Sequence, residues 1–142
     1  MGTDIRFRRI PDVIGSFLFD EDEIGEEFYR QNVDFMGIHY ESQRRRFGRN
    51  YMDCLIYVDA DGDDQEGAWD DEDNALWYTP DWTRCAANAQ TILDRFHAFL
   101  PVNLLEKEER EAHERGLVPL LRVILECAAS ADRDRIQVFI ST

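Results

Sequence analysis

Between Thr79 and Pro101 the apolar residues Trp82, Cys85, Ala86, Ala89, Leu93, Phe96 and Leu100 recur at intervals that place them on one face of an α-helix. Thr79 can cap that helix, Pro80 suits its first position, where the N–H has no intrahelical partner, and Pro101 stops it. A stripe of this length, about five turns, has to be covered by other apolar surface. Everything else in the chain must therefore supply a partner for it.

Several segments can do so. Pro119 restarts a second apolar helix through Leu120, Leu121, Ile124, Leu125 and Ala128. Between the two, Asn103 with Glu106 forms a capping-box pattern, and 106–115 is almost wholly charged, an exposed helix that Gly116 is expected to end. Residues 4–10 alternate Ile5 and Phe7 against Arg6 and Arg8 and are closed by Pro11, which predicts an edge or outer strand. Residues 136–140 predict a last strand. Segments 34–41 and 50–58 are rich in aromatic and aliphatic residues and flank 42–49, the pattern of a long-looped hairpin, and 75–78 offers one further short strand. The apolar run 13–19 is too short to assign by period. Asp20 with Glu23, followed by Ile24 and Phe28 at spacing four, predicts a short helix over 21–31. The sum is a single α+β domain over 1–142: a mainly antiparallel sheet of four or five strands, with the two apolar helices packed on one face.

The acids are unevenly placed. From Asn50 to Thr83 there are eleven Asp or Glu and no Lys or Arg, most of them in an acidic loop over 59–73 that follows directly on the apolar run 51–58. Hydrophobic residues make up 44% of the chain, enough for a core, so the net charge of -14 belongs to the surface. Such a field repels phosphates and anionic membranes and favours cations or basic proteins. The three cysteines, Cys54, Cys85 and Cys127, lie among apolar residues without metal-ligand spacing and read as buried thiols of a reducing compartment. Residues 1–9 lack the apolar core of a signal peptide, and no run is long enough to span a bilayer, so a cytoplasmic protein with no membrane contact is expected.

Within the acidic loop, Asp59, Asp61 and Asp63 with Asp70 twelfth resemble the first half of an EF-hand calcium loop. Asp64 stands where that loop needs glycine and Glu66 where it has an apolar anchor. A calcium-binding module using Asp59 to Asp70 is thus the alternative reading. The same strand followed by Asp-Ala-Asp-Gly resembles the nucleophile motif of haloacid-dehalogenase-type phosphatases, which would make Asp59 the nucleophile and Asp61 the acid or base. Asp63 stands where those enzymes have Thr or Val, the only lysine, Lys107, lies in a charged segment, and the elements do not alternate as a parallel α/β fold requires.

His39, His97 and His113 lie in no catalytic signature and read as partly buried or exposed structural residues. Arg44, Arg45, Arg46 and Arg49 surround Phe47 on the expected hairpin loop. They can grip an anion, pair with the chain's own acids or meet those of a second copy, which admits a homodimer. Trp77 and Trp82 read as core. Trp69, with only small and acidic neighbours, reads as an aromatic anchor.

No catalytic, metal or cofactor motif is complete. The expectation is a non-catalytic acidic inhibitor, of the type of an immunity protein, antitoxin or phage-encoded inhibitor, that acts as a nucleic-acid mimic. It would neutralise a basic protein partner through Asp59, Asp61, Asp63, Asp64, Asp70, Asp71 and Asp73, with Trp69 as anchor, and would not contact nucleic acid directly.

Overall fold

A computed structural model describes residues 3–10, 25–33, 40–58, 61–65, 77–99 and 107–141. Its main sheet is antiparallel and three-stranded, in the order β2 (Glu26–Val33), β1 (Thr3–Arg9), β5 (Ile136–Ser141). A second, two-stranded sheet pairs β3 (Tyr57–Val58) with β4 (Asp64–Gln65). The helices are α1 (Tyr40–Phe47), α2 (Trp82–Phe99), α3 (Lys107–Ala112) and α4 (Val118–Ala129). The mixed α+β class is as expected. A single sheet of four or five strands is not found among the described residues; of the short strand expected over 75–78, residues 75 and 76 lie outside them and Tyr78 makes one isolated bridge to Val138.

Alternation decides the core face of the main sheet. Ile5 and Phe7 from β1 and Ile136, Val138 and Ile140 from β5 are all fully buried. Against them lie α2 and α4, with the Trp82 ring stacked at 6.4 Å on Phe7 and the Trp82 indole N–H donating to the Arg133 carbonyl at 2.9 Å. Cys85, Ala89, Ile92 and Phe96 of α2 and Leu120, Leu121 and Ile124 of α4 complete one apolar cluster. The stripe on the long helix thus finds the partners its sequence demanded.

β1 is the central strand, not an edge. Its alternation is real, but its polar face is covered as well. Arg8 is only 2% exposed; its guanidinium lies 4.3 Å from the centroid of the Trp77 ring and donates to Gln137 Oε1 from Nε and Nη2 at 3.0 and 2.8 Å. An arginine that stacks and forks in this way satisfies itself inside a sheet, which a hydrophobicity pattern does not register.

Three further expectations give way. Residues 26–31 form part of β2 and not a helix, because Gly25 takes φ 107, a left-handed conformation that a continuing right-handed helix excludes. A Cβ at Gly25 would also stand 2.9 Å from the Arg9 carbonyl. The hairpin of 34–41 with 50–58 is not found among the described residues: 34–39 lie outside them, 40–47 is α1, and Asn50 opens a 3-10 turn over Tyr51–Cys54. The Asn50 side chain accepts from the N–H groups of Met52 and Asp53 at 3.0 and 3.3 Å, and Asp53 Oδ2 accepts from Asn50 N–H at 2.8 Å. That reciprocal cap outcompetes strand pairing locally. Finally, Gly116 does not end the charged helix, which passes through a π-helical turn, His113–Leu117, into α4.

Candidate functional site

The described part of the acidic loop is a small hairpin. Tyr57 pairs with Gln65 and Val58 with Asp64, and the reversal between them includes Gly62 at φ 87 with open space around its Cα. Its root is fixed. The Tyr57 ring packs 5.1 Å from Tyr78, the Tyr78 hydroxyl donates to the Leu55 carbonyl at 2.5 Å, and Asp81 N–H donates to the Ile56 carbonyl at 2.9 Å. Asp81 in turn caps α2, accepting from Arg84 N–H at 3.3 Å, so the cap expected from Thr79 is supplied two residues later. The hairpin is thereby held to the start of the longest helix.

Asp61, Asp63 and Asp64 are all exposed. Asp64 is gripped by Arg84 through both carboxylate oxygens, Nη1 to Oδ1 and Nη2 to Oδ2, the latter at 2.6 Å. This fork holds the Asp64 carboxyl below its ordinary range, chiefly through the hydrogen bonds, and raises the guanidinium correspondingly. Beside the acids Val58 leaves 41% of its surface in solvent. The tip therefore combines negative charge with a small apolar contact.

Of the other residues assigned to this surface, Asp59, Trp69, Asp70, Asp71 and Asp73 lie outside the described residues. So do His39 and the stop expected at Pro101. Among the described residues no group of three His, Cys, Asp or Glu side chains could hold a metal ion. Asp64, at the glycine position of the calcium-loop pattern, sits in a strand with its carboxylate engaged by Arg84. The phosphatase resemblance finds no support either: both described sheets are antiparallel, and Lys107 is exposed on α3, 3.9 Å from Glu111.

The three thiols and His113 lie in the core, whereas His97 is exposed on α2. Burial pushes the Cys85 and Cys127 thiols up to about 12 and Cys54 well above its ordinary value. His113 is fully buried, a correction to its reading as a partly buried or exposed residue. Its ring lies parallel to Phe96 at 5.1 Å and edge-on to Phe47 at 5.1 Å, so it packs as an aromatic core residue.

The arginine cluster sits on a helix and not on a hairpin loop. Arg44, Arg45 and Arg46 occupy the last turn of α1, where cations complement the helix dipole, and Arg49 follows Gly48. Arg44 reaches Asp53 at 3.6 Å and Arg49 donates to Asn88 Oδ1 at 3.1 Å. Arg95 of α2 joins this ridge beside Gly48. Sequence spacing did not link Arg95, or the hairpin clamp Arg84, to either charged cluster, because both meet their neighbours only through the packing of α2.

No protein-family model, curated protein or solved structure matches this chain. Among the described residues no helix is long and apolar enough to cross a membrane.

Proposed function

We propose that this chain is a non-catalytic acidic binding protein that neutralises a basic protein partner, in the manner of an immunity protein, antitoxin or phage-encoded inhibitor. The observation that carries the reading is the hairpin over 57–65. Asp61, Asp63 and Asp64 are exposed on it, Val58 lies beside them, and the Asp64–Arg84 fork ties it to α2. A pre-ordered acidic tip loses little freedom on docking, and its charges occupy the positions that phosphates would take on the partner.

The test is capture from the cell of origin with wild-type bait and with Asp61→Asn/Asp63→Asn bait, each in EGTA and in calcium. The captured protein is then purified and its affinity measured at two salt concentrations. The expected result is a basic protein held in EGTA, bound more weakly by the folded double variant and more weakly at high salt. Equal, salt-insensitive affinity for both baits would remove the hairpin from the binding surface. Capture only in calcium would replace the reading with a metal-responsive module.

A further inference from the structure

At the opposite end of β1 from its first residue, the sheet opens into a cleft of about 400 Å³ lined by Arg9, Ile10, Gly25, Glu26, Phe28 and Arg135. Its construction begins with a β-bulge. Along β1 and β2, Phe7 faces Tyr29 and Arg8 faces Glu27, so Phe28 is the extra residue with no partner across the ladder. A bulge re-aims the side chain it carries. Here it brings the Phe28 ring to 6.3 Å from Phe7 and under the Arg9 guanidinium, 5.1 Å from the ring centroid. Phe28 still leaves 42% of its surface in solvent, and it is one of two large hydrophobic side chains so exposed among the described residues.

The cations of the cleft are fixed in advance. Asp132 Oδ2 accepts from Arg9 Nε at 2.7 Å and from Arg135 Nη2 at 3.3 Å, and Oδ1 is held by the Ser130 hydroxyl. Ser130 first, then Arg9 and Arg135, hold the Asp132 carboxyl below its ordinary range. The Ile10 N–H donates to the Arg135 carbonyl at 2.9 Å, which locks the two arginine-bearing segments together. One carboxylate thus organises two guanidiniums beside an exposed aromatic ring, and Glu26 stands at the rim. The overall charge of -14 does not forbid an anion here, since charges beyond a Debye length, about 8 Å at physiological salt, are largely screened.

We propose that this cleft binds a small aromatic anion, with the anionic group on Arg9 and Arg135 and the ring against Phe28. The chemistry admits an aryl carboxylate or a nucleoside monophosphate, because guanidinium forks accept either group and a cleft of this size suits a small molecule. It is independent of the acidic hairpin, which lies on the second sheet.

The experiment is amide chemical-shift titration of the whole chain with benzoate and with adenosine 5′-monophosphate, using benzamide and adenosine as their uncharged counterparts. Saturable shifts at Arg9, Ile10, Gly25 and Phe28 are expected with at least one anion, with its neutral counterpart at least about tenfold weaker. Saturation by benzoate alone assigns the carboxylate class, and saturation by the nucleotide alone assigns the phosphate class. Phe28→Ala and Arg9→Gln should each weaken binding about tenfold, with Arg45→Gln, on α1 and outside the cleft lining, unchanged. If Arg9→Gln loses the native spectrum, Phe28→Ala, at a solvent-facing site, decides alone. Absence of saturable shifts up to about 10 mM, far weaker than a useful site, would overturn the proposal. So would equal binding of charged and neutral probes, or full affinity in Phe28→Ala.

Discussion

Replacing Tyr78 by Phe removes one oxygen from the centre of the molecule and is expected to loosen the hairpin as well as the fold. Tyr78 is fully buried, its backbone exchanges hydrogen bonds with Val138 at 2.9 and 2.8 Å, and its hydroxyl reaches the Leu55 carbonyl at 2.5 Å. The substitution keeps the ring in place and strips the donor from a carbonyl whose residue is itself fully buried. Leaving such a group short of a partner costs about 1–2 kcal/mol. For a chain of this length the unfolding entropy is about 0.3 kcal/mol/K, so the melting temperature should fall by about 3–7 °C. Tyr78→Ala, which also deletes the ring, should cost about 3–5 kcal/mol. Urea and thermal unfolding followed by circular dichroism measure both, and amide exchange at Leu55 to Tyr57 should quicken in Tyr78→Phe. A melting shift below about 1 °C in Tyr78→Phe would refute the assignment of stability to the hydroxyl, and equal losses for Phe and Ala would refute the contribution assigned to the ring.

Two more expectations concern titrating groups. Because all three thiols are buried and their pKa values raised, the native protein at pH 8 should react with a thiol reagent only as fast as it opens, and rapid labelling of any cysteine without denaturant would contradict the packing. The folded-state pKa values of Asp64 and Asp132 are depressed, so the stability they contribute is present above the unfolded carboxyl value, near about 3.9, and is lost as pH falls through the folded values. Asp132→Asn should flatten part of that acid loss in urea midpoints taken from pH 6 down to pH 3, and an unchanged acid slope would show that other carboxyls carry it.

Much of the helical architecture was legible because its periods are long. The stripe from Trp82 to Phe96, the apolar helix that carries Leu120, Leu121 and Ile124 and the terminal strand each follow from spacing, and all three appear, although the chain enters that second helix through a π-helical turn and not by a restart at Pro119. What failed were short signals that compete. The acids at 20–23 look like a helix start, yet Gly25 turns left-handed and hands the chain to β2. Tyr51, Met52 and Cys54 look like a strand, yet Asn50 with Asp53 closes a 3-10 turn, and that Asn-x-x-Asp spacing was the signal available to find it. Arg8 looks solvent-facing because a period of two cannot anticipate Trp77 stacking across from a distant segment. In the acidic loop the sequence located the charge, but the clamp by Arg84 depends on where α2 begins relative to β4, a tertiary fact. The bulge that exposes Phe28 leaves no mark in composition or period.

The position of β1 between β2 and β5 also bears on how quickly the molecule assembles. Arg8 and Gln137, which hydrogen-bond within the sheet, stand 129 positions apart in the chain, and closing a segment of that length carries an entropic cost of about 4 kcal/mol before any contact repays it. The β1–β2 pairing and the docking of α4 on α2 close shorter segments. β5 is thus expected to join last, after the other pieces have formed, and the chain to fold slowly for its helix content. Substitutions in β5 should then act mainly by hastening unfolding, while those in the α2–α4 seam should slow folding itself.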